Sequence, residues 1–454
     1  MTVLSYMKAG LLASVACTAV LATTTGASAG GFALREQSAE FQGMSFAGSA
    51  AGGSLSSMFW NSAAAASRDG MNFESSISAI MARSEVTVDR VTVGAGFNAL
   101  PGSSVAAVTG AYALTPSTAD GIAPVAAVAA SYGNYQLSKD LYIGMGVNAP
   151  FGLTLEPNRA NYKGGTLAET AKMVAFNFNP TVAYKLMPGV TVGVGAQLQT
   201  AEATFRFLGG QPFNGSMVSL EANGWGFGAT AGVIVEPMAG TTIGVGYRSR
   251  MNQQFEGLFH NEATGGNGIN SKVELKLPDI VTVSLKQVVT PQLRAAATFE
   301  WTQWSRFQSL TVTAAEGGRG PLNIGAPVAA GTIVANLPYE WEDSWMVSFG
   351  VEYDVTPTLT ARAGYGYERS PIQNEKMRSP GFPDNNRNWM SFGGTWKALP
   401  NTSMDLAWSH IFVDDGKFDR DTLAPDLVPT ASTNIQGHVK SSIDIISVGL
   451  KTKF

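Results

Sequence analysis

Few side chains in this 454-residue chain are suited to covalent chemistry. It has one cysteine, Cys17, and three histidines, His260, His410 and His438. Hydrolysis or acyl transfer needs a nucleophile, a base and an orienting group within hydrogen-bond reach. No Gly-x-Ser-x-Gly sequence supplies a nucleophile elbow, and no His/Glu spacing suggests zinc. His260 and His438 read as loop or strand-edge residues, while His410 shares an apolar face with Met404, Leu406, Trp408 and Phe412. These observations disfavour an enzyme, and nothing calls for a cofactor. Two other places stand out. Arg206, flanked by Phe205 and Phe207 where an alternating strand ends, is a candidate partner for a carboxylate; the alternative is a solvated strand-end arginine. Pro150 follows the alternating run Leu141, Ile143, Met145, Val147. It has no N–H to give to a ladder, so pairing should fail there unless the strand has simply ended.

Strands must position these residues. Charged residues are only 14% of the chain, glycines number 51, aromatics reach 10%, and the mean hydropathy is +0.06. A helical membrane protein needs apolar runs of about 18 residues or more, and none follows residue 30. Alternation with period two is instead pervasive. Trp345, Val347, Phe349, Val351 and Tyr353 share one face against Met346, Ser348, Gly350, Glu352 and Asp354; 190–199, 293–301 and 359–367 repeat the pattern. Aromatics collect at strand ends, where membrane interfaces place them. The glycine-rich face is too small for a shared sandwich core but suits a crowded lumen. Short turns near 137–141, 186–190, 236–240, 289–292, 354–358 and 398–402 alternate with long segments near 90–120, 150–168, 206–222, 257–270, 314–339, 371–386 and 414–438. The expected fold is all-β: a transmembrane antiparallel barrel of about 14 strands over 71–454.

The first 29 residues read as a secretory signal. Lys8 precedes an apolar stretch from Ala9 to Ala22, and Ala27-Ser28-Ala29 supplies the cleavage pattern. A lipoprotein signal ending at Cys17 is the alternative. Residues 30–70 are too apolar for a tail and too irregular for a wall strand, since unpaired backbone is intolerable in hydrocarbon. They are expected inside the barrel as a plug, with a periplasmic extension as the alternative. The net charge of −4 offers no basic patch for nucleic acid. Nothing in the sequence demands more than a monomer, with outer-membrane lipid around it.

Several stretches then point to a family. Gly30-Gly31-Phe32-Ala33-Leu34-Arg35-Glu36-Gln37-Ser38 resembles the mature start of FadL-type outer-membrane transporters of long-chain fatty acids and other hydrophobic molecules. Phe59-Trp60-Asn61-Ser62-Ala63, Asn148-Ala149-Pro150-Phe151-Gly152-Leu153, Leu277-Pro278-Asp279, Trp301-Thr302-Gln303-Trp304-Ser305-Arg306-Phe307 and Pro383-Asp384-Asn385-Asn386-Arg387 extend the likeness in order from residue 30 to 454.

The resemblance implies a 14-stranded barrel closed by an N-terminal hatch. Ligand would land on extracellular loops, enter an apolar pocket, displace the hatch and leave sideways through a gap at a kink in the third strand. It implies that Phe32 lines the pocket, with Arg206 beside the ligand head group, Phe207 next to it and Leu220 as an apolar pocket residue. Gly30, Gly31, Asn61, Ser62 and Ala63 belong to the hatch, where Ser62 replaces a usual proline and should loosen the turn. Ala149, Pro150, Phe151 and Gly152 are the implied lateral opening. A second cationic position of the family falls near Leu337, which is uncharged, and the loop after Arg206 is short. Long-chain fatty acids are the leading expected cargo, and aromatic or other small hydrocarbons the alternative.

Overall fold

Each strand of the barrel has one apolar and one polar or small face, so the sheet can close on itself only with the apolar face outward. The computed structural model describes residues 30–99, 104–156, 162–165, 167, 170–208, 217–261, 268–319, 327–421 and 433–454. The expected signal 1–29 lies outside them. Fourteen antiparallel strands form the wall. They are β1 Met71–Val93, β2 Ala126–Gln136, β3 Leu141–Asn148 resumed at Gly152–Leu155, β4 Thr170–Met187, β5 Val190–Leu208, β6 Met217–Met238 and β7 Thr241–Arg248 resumed at Met251–Asn261. The wall continues with β8 Gly268–Leu277 resumed at Ile280–Val288, β9 Leu293–Thr302 resumed at Ser309–Ala314 and β10 Ile333–Pro338 resumed at Ser344–Thr356. It ends with β11 Leu359–Arg369, β12 Arg387–Leu399, β13 Thr402–Val413 resumed at Gly416–Asp421, and β14 Thr433–Lys453. Neighbours in sequence pair with one another, and β1 pairs with β14 from Asn72–Lys453 to Val93–Thr433, closing the ring.

Phe227, Phe349, Leu406 and Phe412 are all more than half exposed on the outside. A belt of this kind is stable only against lipid. No described helix is long and apolar enough to cross a membrane; the exposed apolar belt lies on the strands. The short connections fall where the sequence places them; Gly189 and Gly240 take φ of +77° and +82° in two of them. The long segments are shorter than the sequence suggests. Strands β5 to β8 run on to Leu208, from Met217, to Asn261 and from Gly268, and β10 and β13 gain the pieces Ile333–Pro338 and Gly416–Asp421. Beyond the lipid the outer face need not be apolar, so a reading keyed to apolar alternation stops too early.

Residues 30–66 fill the interior of the ring and are buried almost throughout. The segment carries a single helical turn, α1 (Ala39–Gln42), and two 3-10 turns, Leu55–Phe59 and Ser62–Ala66. The Glu74 carboxylate of β1 accepts from Leu55 N at 2.7 Å, Ser56 N at 3.2 Å and Ser54 Oγ at 2.6 Å, capping the first 3-10 turn from the wall. Gly48 N donates to Thr298 on β9 at 2.8 Å and Ala50 N to Ser284 on β8 at 3.0 Å. The inward glycines explain how so much chain fits. A Cβ on Gly244 would meet the Ala50 carbonyl, one on Gly246 the Trp60 carbonyl, and one on Gly364 the backbone of Met44.

Adding side chains at this contact should unseat the middle of the segment without opening the wall there, because the ladders at Gly244 and Gly246 run only to the neighbouring strands β6 and β8. Gly244→Val with Gly246→Val is expected to raise single-channel conductance in planar bilayers. The barrel should keep its heat-modifiable migration on gels, since overpacking costs typically ~1–3 kcal/mol per site.

Candidate functional site

A break in the wall and an apolar pocket meet at the front of the lumen segment. Strand β2 pairs with β1 along Ala126–Tyr135 but with β3 only along Ser131–Gln136. On the other side, Gly152–Leu155 of β3 pairs with β4 alone. Between Ala126–Ala130 and 149–155 the ladder is therefore missing, and the bond Glu156 N to Ile122 O at 2.7 Å bridges the strands above it. The cause is local: Pro150 breaks β3 after Asn148.

Backbone groups left unpaired in a lipid-facing wall are costly, and here the N-terminal residues take them up. Leu34 N donates to Pro150 O at 2.9 Å, and Gly152 N donates to Phe32 O at 2.9 Å. Ala33 and Phe151 form the bridge between these bonds. Gln37 Nε2 donates to Ala149 O at 2.7 Å. Residues 32–34 thus act as a short strand lent to the wall. All four residues of the expected lateral opening, Ala149 to Gly152, lie at this junction.

Phe32 is 1% exposed and sits in an aromatic cage. Its ring centroid is 4.6 Å from Trp304, 5.6 Å from Trp341, 5.7 Å from Phe307, 6.0 Å from Phe151 and 6.1 Å from Phe382. The cage is made by strand interruptions. The break in β9 after Thr302 supplies Trp304 and Phe307, the break in β10 after Pro338 supplies Trp341, and the β11–β12 connection supplies Phe382. Gly31, at φ +70°, leaves no room for a Cβ beside the two indoles, and its N–H donates to Asp384 Oδ2 at 2.8 Å. Next to Gly30 is the Glu368 carboxylate.

One face of Phe32 opens on a narrow pocket lined wholly by apolar side chains. Leu153 comes from β3, Met173 from β4, Ala203 and Phe205 from β5, Leu220 and Ala222 from β6, and Phe255 from β7. Val273 and Leu275 of β8, Leu310 of β9, Phe307 and Phe382 complete it. Phe32 and Leu220, both singled out by the sequence, thus line one cavity. Arg206 does not line it: Phe205 takes the inward phase of β5, leaving Arg206 on the phase of Leu198 and Glu202. Phe207 keeps its ladder place opposite Val218, and its side chain lies outside the described residues. Leu337 packs, partly buried, against the same apolar cluster. The remaining pocket residues were legible in principle, because the inward phase turns apolar along the outer halves of β4 to β8.

Asn61, Ser62 and Ala63 lie far along the segment, against β6. Asn61 Oδ1 accepts from Ala63 N at 3.0 Å, and its Nδ2 donates to Val233 O at 2.9 Å. Ser62 Oγ donates to Thr230 Oγ1 at 2.7 Å, so the residue that replaces a proline adds a bond to the wall.

Behind Phe32 the segment is held by charge. Arg35 pairs with Glu300 of β9 and, at 3.1 Å, with Glu368 of β11, all three nearly sealed from solvent. Thr282 Oγ1 and Trp389 Nε1 satisfy the outer oxygens of these glutamates at 3.0 and 3.1 Å. Five residues on, Glu40 reverses the signs: it pairs with Lys451 of β14 and with Arg362 of β11 at 3.4 Å. Arg362 also meets Glu352 at 3.0 Å, and Lys451 meets Asp405 at 2.8 Å. The histidines stand elsewhere. His410 binds Asp444 at 2.8 Å beside Phe412, and His438 binds Asp89 at 3.0 Å. Among the described residues, no group of His, Cys, Asp or Glu could hold a metal ion.

A barrel whose lumen is filled by its own N-terminal chain, with an apolar pocket against a break in the wall, is a transport barrel rather than an open pore. Residues 20–454 match the family described as outer membrane protein transport protein (OMPP1/FadL/TodX), and the chain belongs to that family. The long-chain fatty acid transport protein of Salmonella typhi is 27% identical over 326 residues, 64% of this chain and 71% of that protein. The crystal structure of a Pseudomonas aeruginosa FadL homologue matches with a TM-score of 0.78 at 20% identity, covering 93% of this chain and all of that one. The Ralstonia pickettii toluene transporter TbuX matches with a TM-score of 0.58 at 14% identity, covering 91% of this chain and 97% of that one. The protein is thus one of the bacterial outer membrane.

Removing Arg35 leaves two buried carboxylates facing each other, a change that costs roughly 3–5 kcal/mol when a buried pair loses one partner. Arg35→Ala is expected to speed amide hydrogen exchange across residues 30–45. Adding Glu300→Gln and Glu368→Gln should restore much of the protection. Unchanged exchange in Arg35→Ala would show that the pair does not hold the segment.

Proposed function

We propose that this protein carries hydrophobic molecules passively across the outer membrane, long-chain fatty acids first among them, and releases them sideways between β2 and β3. The observation that carries the reading is the double role of residue 32. Its ring is a wall of the apolar pocket, and its carbonyl accepts from Gly152 at the break in β3. A ligand that fills the pocket presses on the ring that holds the gap shut. The moving part is 30–34; the charge pairs at Arg35 and Glu40 keep the rest of the hatch in place.

Energy favours a long chain. Releasing the two ladder bonds costs roughly 1–3 kcal/mol for each group left unpaired. Burying an acyl chain returns about 0.8 kcal/mol per methylene, so several methylenes offset the opening and a long chain leaves a surplus. The fatty acid reading also agrees with the name of the Salmonella relative. A second reading, uptake of neutral aromatics, is favoured by one observation: no cation lines the pocket among the described residues, and Arg206 takes the other phase of its strand. The matching toluene transporter points the same way.

Titration of the detergent-solubilised protein with oleate and with toluene separates the two. Oleate is expected to bind more tightly, and Leu220→Trp, which fills the pocket, to weaken it at least ~tenfold. Toluene binding equal to or better than oleate would decide for the aromatic reading. In proteoliposomes, Phe32→Ala is expected to slow oleate transfer more than it weakens binding, because the ring links pocket to gap.

A further inference from the structure

Below the apolar pocket, the inward face of β3 to β7 turns polar. The first polar row holds carboxamides: Asn148 at the end of β3, Asn177 on β4, Gln199 on β5 and Gln253 on β7. Asn148 lies opposite Asn177 in the ladder, Asn177 opposite Gln199, and Gln199 opposite Gly226 of β6. Gly226 keeps the row continuous. It has no side chain to stand between Gln199 and Gln253, and a Cβ there would lie 2.6 Å from Gln253 Oε1. All four amides are at most 1% exposed.

The row is only half satisfied. Asn177 Nδ2 donates to Asn148 Oδ1 at 3.3 Å, and Gln199 Nε2 to Gln253 Oε1 at 3.1 Å. Among the described residues, Asn148 Nδ2, Asn177 Oδ1, Gln199 Oε1 and Gln253 Nε2 have no partner. A sealed polar atom without a partner is costly, and native interiors keep few. The next row towards the periplasm shows that the same strands can do better. There Asn179 Nδ2 donates to Ala196 O at 2.6 Å and Gln197 Nε2 to Ala229 O at 3.0 Å, while Arg248 is engaged by Gln197 and Phe59 O.

The position of the unsatisfied row is informative. On the inward phase of β4 to β6, Ala175, Ala201 and Gly224 stand between the amides and the pocket residues Met173, Ala203 and Ala222. Along β7, Gln253 is the inward neighbour of Phe255, another pocket residue. At the far end Asn148 adjoins Ala149 at the break in the wall. Gln37 of the hatch reaches Ala149 O there, and its Oε1 also lacks a partner among the described residues. The row therefore runs from the pocket floor to the gap.

We propose that this row is a track for the polar head of a departing ligand. The head it takes is uncharged and both donates and accepts: the hydroxyl of a long-chain alcohol or the protonated carboxyl of a fatty acid. The open atoms are two donors and two acceptors, and an amide that turns end for end exchanges one for the other. No amide carries a charge, so an ionised head sealed against them would lack a counter-ion. Passing from Gln253 and Gln199 to Asn177 and Asn148, the head reaches the gap while its chain leads into lipid. The proposal rests on the uptake and lateral-release reading above and adds the chemistry of the head.

The test follows transfer of radiolabelled 1-hexadecanol, palmitic acid and hexadecane in proteoliposomes. Asn177→Leu with Gln199→Met removes the middle amides with little change in volume. Transfer of the two oxygenated cargoes is expected to slow about tenfold, and that of hexadecane by less than about twofold. Slowing of one oxygenated cargo alone keeps the track and assigns it to that head. Equal slowing of all three, as a structural defect would give, or no slowing, overturns the track. Leu220→Trp separates that result from failure of the uptake reading. If it slows all three cargoes, the pocket stands and only the track is at stake. If it slows none, the uptake reading falls and the track with it. Heat-modifiable migration checks that each variant has folded.

Discussion

The structure turns on backbone hydrogen bonds that a proline denies to the wall. In hydrocarbon, a strand with unmet N–H and C=O groups is hard to sustain, yet β3 is interrupted at Pro150 and β2 does not reach across. Phe32–Leu34 make good the loss. The wall and the plug are accordingly not separate parts. The barrel is complete at this point only when the chain's own N-terminal residues are in position, and the aromatic cage around Phe32 keeps them there.

The rest of the interior divides by strength of attachment. From Arg35 onward the segment is tied by buried ion pairs, by the Glu74 carboxylate and by Arg248, which donates to Phe59 O at 3.0 Å and lies 4.4 Å over the Phe59 ring. Ahead of Arg35 the described ties include backbone hydrogen bonds, the Gly31 N–H on the Asp384 carboxylate and packing between rings. Packing responds to the shape of whatever enters the pocket; a buried charge pair does not. The segment is thus tied by buried charge along its body and by ring packing and backbone bonds at its tip.

Much of the barrel was legible because its periodicity is enforced twice, by lipid outside and by a crowded lumen inside. The face of Trp345, Val347, Phe349, Val351 and Tyr353 keeps its phase throughout β10, and the short turns fall at their expected places. Legibility failed where the chain leaves the ladder. Trp304, Phe307 and Trp341 enter the lumen from interruptions in β9 and β10, and no repeat marks where an interruption will aim a side chain. Arg35 meets partners 265 and 333 positions away, a pairing set by strand order around the ring rather than by local pattern. Arg206 shows the converse: its flanking aromatics were visible, but the face it occupies depends on the phase of β5 at that height.

The ionic residues of the lumen also bear on the insulation of the cell envelope. Around Glu40 they alternate in sign, with Lys286, Arg294, Arg362 and Lys451 set against Glu40, Glu352, Asp354 and Asp405. Paired in place, they leave no uncompensated row of one sign to draw a hydrated ion inward. A lumen balanced in this way gives hydrated ions no rail of one sign to follow, so a filled, charge-paired interior and a family role in carrying hydrophobic compounds are compatible in one barrel.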